Sequence, residues 1–177
     1  TTGDNFGELL SSPLGVYLRV LAIVIFFGLA TLILNLALRI TRTKLNKRSP
    51  DGLSSNILSA LRGPTLLFLA LQGIFLAIVS LPQLEDWGRL LGTGWAIVVI
   101  ILLTHGVAKS TGALLTWYSK TIAPRTETQI DDKFIPILKR VLNVTIYGIA
   151  ALLVMDRLGY SITPLLGGLG ITGLAVA

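Results

Sequence analysis

Five long apolar stretches, joined by short polar segments, divide the chain. Three of them cover about residues 14–38, 57–81 and 90–107, and the third can continue as an interfacial helix to Tyr118. The fourth, residues 141–155, is short for a bilayer core of ~30 Å and spans it only if Lys139 and Arg140 reach back to the interface. The fifth starts near Thr163 and is still apolar at Ala177. This pattern predicts an all-α protein with five transmembrane helices.

The amino-acid composition indicates that lipid, rather than water, surrounds much of the chain. Of 177 residues, 53% are hydrophobic and 14% are charged, and the mean hydropathy is +0.77. Soluble domains carry about 25% charged residues. The net charge of +6 lies in loops rather than on a soluble surface, so we expect no nucleic-acid partner. Without cysteine and with His105 as the single histidine, we expect no metal, no cofactor and no enzyme activity.

The loop cations predict the orientation of the chain in the membrane. The loops after spans one and three are the basic ones, with Arg39, Arg42, Lys44, Lys47 and Arg48 in the first and Lys109, Lys120, Arg125, Lys133, Lys139 and Arg140 in the second. The loop with Glu85 and Asp86 has only Arg89, and the turn at Asp156 only Arg157. The positive-inside rule then places the amino terminus outside and the carboxyl terminus in the cytoplasm, in the inner (plasma) membrane.

We expect the isolated polar residues inside the spans to contact lipid headgroups or to form structural hydrogen bonds. Arg19 and Arg62 lie near span ends, where a long cationic side chain reaches a lipid headgroup. For His105 we expect a structural hydrogen bond near the inner interface rather than a proton relay. Asn35 is expected to bond a neighbouring helix. None of these residues forms a convincing mid-membrane pair.

Two adjacent carboxylates precede the fourth span. Asp131 and Asp132 point in different directions, so they are poorly placed to act on one substrate. We expect them at the amino end of the helix that leads into this span, where the helix dipole and unpaired N–H groups favour negative charge. Pro136 is expected in the first turn of that helix.

The last apolar segment contains four glycines that a helix would normally disfavour. At about 100° per residue, small residues fall on two opposite faces. One face holds Gly168, Thr172 and Ala175, and the other holds Gly170, Gly173 and Ala177. Between them lie two larger stripes, one with Leu165, Leu169 and Val176 and the other with Gly167, Ile171 and Leu174.

Two small faces on one helix allow close approach by two neighbours at once. A ring of identical helices uses both faces, and the stripe with Gly167, Ile171 and Leu174 would then face the axis. Such an apolar constriction can gate a pore by dewetting. The alternative is a glycine-rich helix packed inside a monomeric transporter.

Residues 168–177, Gly-Leu-Gly-Ile-Thr-Gly-Leu-Ala-Val-Ala, resemble the pore helix of the small-conductance mechanosensitive channel (MscS) family. The upstream Thr128-Gln-Ile-Asp-Asp132 is similar to a stretch common in that family before the penultimate span. The resemblance covers roughly residues 126–177, and spans one to three resemble the extra amino-terminal helices of longer members. It implies a homoheptamer, an extracytoplasmic amino terminus and a pore narrowed at Leu174. The helix, β-domain and cytoplasmic cage that follow in the family are absent here.

The combined interpretation has three parts. Residues 1–125 are a four-helix sensor region with spans one to three and their loops, residues 126–160 are a connecting segment with span four, and residues 161–177 start a pore-lining helix. We expect a mechanosensitive channel opened by membrane tension, which releases ions and small solutes on hypo-osmotic shock. Its partners would be membrane lipids, permeating ions and other copies of itself. A secondary transporter with a midplane site, or a membrane anchor for a carboxy-terminal domain beyond Ala177, are the alternatives.

The orientation can be tested with single cysteines because the chain has no native cysteine. Asp86→Cys should react with an impermeant thiol reagent added outside intact cells, and Lys47→Cys should react only after the cells are opened. The expectation follows from the asymmetry of loop cations. Labelling of the Lys47→Cys protein in intact cells would contradict this orientation.

Overall fold

A computed structural model describes residues 13–48, 53–121 and 130–176 of the chain. This part of the chain is helical, without any strand. It contains α1 (Pro13–Arg48), α2 (Leu53–Val79), a 3₁₀ helix (Pro82–Trp87), α3 (Gly88–Thr121), α4 (Ile130–Arg157) and α5 (Thr163–Val176). The predicted all-α class is therefore confirmed for the residues that the structure describes.

Four of these helices are long and apolar enough to cross a membrane. The candidate spans are Leu14–Leu45, Leu53–Val79, Pro82–Thr121 and Phe134–Arg157. A helix satisfies its own backbone hydrogen bonds, which is what hydrocarbon requires of a spanning segment. The chain is thus a multi-pass membrane protein. With 14 residues, α5 is about 21 Å long at 1.5 Å per residue, so its role as a fifth span stays a prediction.

The extent of the fourth span and the place of Pro136 differ from the sequence-based expectation. α4 begins at Ile130, well before residue 141, and its candidate span has 24 residues, enough to cross the core without a shortfall. Asp131 and Asp132 lie in its first turn, as predicted. The expectation for Pro136 is wrong, because this proline lies inside the helix beyond its first turn. There, its missing N–H leaves the carbonyl of Asp132 without the usual helical donor.

The first four helices pack in chain order. α1 packs against α2, α2 against α3, and α3 against α4. The contacts of Phe27 with Gly73 and of Asn35 with Arg62 show that α1 and α2 are antiparallel. The contacts of Phe75 with Trp95 and of Pro64 with Gly106 show the same for α2 and α3. The interhelical contacts bury mainly small residues, among them Gly73 and Ala77 on α2, Gly106 on α3 and Ala150 on α4. Lipid supplies no hydrophobic drive for helix association, so close approach over small residues provides the packing energy.

Aromatic stacking and one polar bond add to this packing. On α3, Trp95 stacks on Phe75 of α2, with ring centroids 4.7 Å apart and planes at 9°. Between α1 and α2, the guanidinium of Arg62 donates a hydrogen bond of 2.5 Å to the side-chain carbonyl of Asn35. This contact agrees with the interpretation of Asn35 as an interhelical bonding group. It also gives Arg62 a protein partner, while its lipid-headgroup contact stays a prediction.

The tightest approach between α1 and α2 occurs at Gly73. A Cβ atom built on this residue would overlap the Cβ atom of Phe27, and would lie 2.8 Å from its Cγ. Both atoms are at the root of the Phe27 side chain, so a rotamer change cannot relieve the overlap. The two helix backbones can therefore be this close only because residue 73 has no side chain.

We expect Gly73→Ala to destabilise the α1–α2 pair by about 1–3 kcal/mol, the usual cost of overpacking. Gly63→Ala on the same helix is the matched control, because a Cβ there meets nothing within 4 Å. Thermal unfolding of both variants in mild detergent checks the difference. Equal midpoints for the two variants would show that the α1–α2 contact does not depend on Gly73.

Candidate functional site

The turn between α4 and α5 sets where the glycine-rich helix starts. Gly159 has a φ of 89°, the left-handed conformation that glycine adopts without strain. The amide of Tyr160 donates to the carbonyl of Met155 at 3.0 Å, and the amide of Gly159 donates to that of Asp156 at 3.0 Å. This bond pair is a Schellman motif, which satisfies the last carbonyls of α4 and ends that helix.

α5 lies apart from the four packed helices. It makes no helix–helix contact comparable to those of α1 through α4. Every residue whose side chain is described from Thr163 to Ala175 is exposed, and Leu174 is 82% and Ile171 72% exposed. An isolated apolar helix of 14 residues is too short to be stable by its own hydrogen bonds. Within the described part of the chain, the apolar surface of α5 is therefore not covered by another helix.

The two small faces predicted for this helix are open along their length. A Cβ atom built on Gly167, Gly168, Gly170 or Gly173 meets nothing within 4 Å. The hydroxyl of Thr172 donates to the carbonyl of Gly168 at 2.8 Å, so this side chain satisfies its polar group within the helix. Its methyl group is left for packing. Both faces can therefore accept a neighbouring helix at short distance.

The predicted site residues keep their places on this helix. Gly167, Ile171 and Leu174 form one stripe, and their position beside a pore axis stays a prediction. So does the packing role of the small residues Gly168, Gly170, Thr172, Gly173 and Ala175. Ala177 lies outside the described residues, as does the side chain of Val176.

Arg19 and His105, two polar residues within the predicted spans, lie outside α5. Arg19 is on the exposed surface of α1, where a headgroup contact stays a prediction. His105 has no hydrogen-bond partner among the described residues, so the expected structural bond is not seen there. It lines a polar groove between α2, α3 and α4 instead. Sequence reasoning missed this groove, although its residues recur at helical spacing on α3.

A family model for mechanosensitive ion channels, covering transmembrane helices 2 and 3, matches residues 140–177. These residues are most of α4, the Gly159 turn and all of α5. The match thus falls on the exposed glycine-rich helix and the helix before it. No solved structure gives a significant match to the chain.

Three curated proteins are similar to this chain. The large-conductance mechanosensitive channel MscMJLR of Methanocaldococcus jannaschii is 29% identical over 135 residues, which is 76% of this chain and 37% of that protein. The uncharacterized MscS family protein YhdY of Bacillus subtilis is 26% identical over 133 residues, 75% of this chain and 36% of that protein.

The small-conductance mechanosensitive channel MscMJ of Methanocaldococcus jannaschii is 34% identical over 74 residues, 42% of this chain and 21% of that protein. The chain therefore spans between about a fifth and little more than a third of the length of the curated relatives that it matches. Two of the three matches extend over three quarters of this chain, so they include helices upstream of α4.

Substitutions on the open faces of α5 test whether they pack against other helices. Gly170→Leu or Gly173→Leu should disturb assembly or raise the tension needed to open a channel, because the added side chain separates neighbouring helices. Leu165→Ala, on a larger stripe, is the control and should have a smaller effect. Subunit number in lipid nanodiscs and patch-clamp recording measure both consequences. Unchanged assembly and gating in the two glycine variants would exclude a close-packed ring.

Proposed function

Because this chain is a member of the MscS family of mechanosensitive channels, we propose that it forms the membrane part of an ion channel opened by membrane tension. The permeating species would be ions and small solutes, which are released on hypo-osmotic shock. It would act in the inner (plasma) membrane, with its amino terminus outside and its carboxyl terminus in the cytoplasm.

One observation carries the proposal. α5 is an apolar helix with both small faces open and without a substantial contact to the other described helices. In a monomer, such a helix would lose stability to its glycines, because neither its two small faces nor its two larger stripes pack against another helix. Copies of the same helix around an axis would cover both faces at once. We propose a homoheptamer in which α5 lines the pore.

In this ring, Leu174 would form the narrowest apolar constriction, with Ile171 one turn before it and Gly167 one turn further back. A narrow apolar ring disfavours a continuous column of water, so it closes the pore without a moving plug. A wider state occupies more area in the membrane. Rising tension favours the state of larger area and would draw the Leu174 side chains apart.

The packed helices α1–α4 would transmit the tension. Their outer surfaces are apolar and exposed, as for Phe26 and Leu32 on α1, which are 66% and 65% exposed. A force in the plane of the bilayer therefore acts on helices in direct contact with acyl chains. The short Gly159 turn joins the last of these helices to α5, so little slack separates the two.

Leu174→Ser tests the gate. Each serine removes the roughly 1.5–3 kcal/mol of apolar burial that a leucine contributes, and a ring multiplies this loss by the number of subunits. In the full-length protein, we expect opening at clearly lower suction and slower growth of expressing cells.

Leu169→Ser, on the opposite stripe, is the matched control and should shift the threshold less. Patch-clamp recording under graded suction measures both thresholds, and the subunit number is checked alongside. An unchanged threshold in a normally assembled Leu174→Ser channel would mean that this leucine is not the gate.

A further inference from the structure

A polar groove lies between α2, α3 and α4 at the membrane end that carries the basic loops. Its volume is about 490 Å³, and its polar lining comes from all three helices. On α3, the lining residues recur every three or four positions and so form one face: His105, Lys109, Gly112, Thr116 and Lys120. α4 supplies a second face at the same spacing, with Lys139, Asn143 and Tyr147.

The side chain of Lys139 on α4 reaches across the groove to Gly112 on α3. A Cβ atom built on Gly112 would lie 3.8 Å from the Nζ atom and 3.5 Å from the Cε atom of Lys139. The ammonium group of Lys139 therefore lies against the α3 backbone, within one turn of Lys109. Glycine at position 112 leaves the space that this side chain occupies.

The positive charge in the groove is not balanced by the described part of the protein. None of Lys109, Lys120 and Lys139 has an ion-pair partner among the residues that the structure describes. The carboxylates whose side chains are described, those of Glu85, Asp86 and Asp156, all lie at the opposite ends of the helices. From Gly88 to Lys109 alone, α3 rises by about 30 Å.

Part of the groove lies at the inner end of the third span predicted from the sequence, which covers residues 90–107. Lys109 follows the last apolar residues of the third span, and the Lys139 amine is within one helical turn of it. The headgroup region is about 5–7 Å thick on each side of the hydrocarbon core. The neutral donors of Asn56 on α2 and of Asn143 and Tyr147 on α4 line the same space.

From this arrangement, we propose that the groove is a binding site for a phosphate group, held by Lys109, Lys120 and Lys139. The phosphate belongs to an anionic lipid headgroup or to a soluble phosphate compound. Three ammonium groups supply charge-assisted donors, and the amides and the phenol can bond further phosphate or glycerol oxygens. The bound group would link α3 to α4, the helix that leads to α5. The proposal does not depend on channel activity.

The test uses the purified full chain in neutral detergent and counts bound lipids by native mass spectrometry. Phosphatidylglycerol should be retained and zwitterionic phosphatidylcholine should not. Replacing all three lysines (Lys109→Gln, Lys120→Gln and Lys139→Gln) should weaken phosphatidylglycerol binding about a hundredfold, at about fivefold for each lysine near the membrane surface. Lys139→Gln alone should weaken phosphatidylglycerol binding about fivefold.

A charge-matched control removes three other exposed cations at the same membrane end, with Arg39→Gln, Arg42→Gln and Lys44→Gln on α1. It should bind as the unaltered chain does, and circular dichroism checks that both triple variants are helical. An equal loss in the two triple variants would overturn the proposal, because attraction would then depend only on net charge. Retained binding in the lysine variant would overturn it as well.

The source of the phosphate is decided by competition. Soluble glycerol phosphate and inorganic phosphate are titrated against bound phosphatidylglycerol. If neither displaces the lipid at millimolar concentration, the site is a lipid site. If either binds with the same dependence on the three lysines and displaces the lipid, the phosphate site stands and its ligand is soluble. Phosphatidylcholine binding as well as phosphatidylglycerol would overturn the proposal.

Discussion

Close backbone approach over small residues is the contact on which this membrane protein depends. In lipid, apolar side chains gain little by moving from acyl chains to another helix, so association depends on shape and on the number of van der Waals contacts. At Gly73, the backbone of α2 reaches the root of Phe27, and at Gly106, α3 reaches Pro64 of α2. Larger aromatic and polar contacts, such as Phe75 with Trp95, lie around these points.

The same requirement explains why α5 differs from the other helices. Its glycines are as suited to close packing as Gly73, yet a Cβ atom built on them meets nothing. Glycine destabilises a helix relative to alanine by about 1 kcal/mol, so glycines without a packing partner would only cost stability. The similarity to mechanosensitive channels provides a reason for them, since identical helices in a ring would use both small faces.

Charge separates the two ends of the bundle. Among the side chains that the structure describes, the carboxylates of Glu85, Asp86 and Asp156 lie at one end and the groove lysines at the other, basic end. The basic end contains the connection from α3 to α4, and α4 leads through the Gly159 turn to α5. An anion bound at the groove would therefore act on the helix next to the proposed pore.

The sequence by itself determined the membrane class and most of the helical elements, and it carried the resemblance to a channel family. The length of an apolar run and the spacing of glycines are local properties of the chain, so they can be read without the fold. It placed Asp131 and Asp132 at the amino end of the helix that leads into the fourth span, but it made that span too short, because Lys139 and Arg140 interrupt the apolar run. It could not show that Arg62 bonds Asn35, or that Lys139 meets α3 at Gly112. Those contacts join residues from different helices, so they exist only after packing has set the rotation and register of each helix.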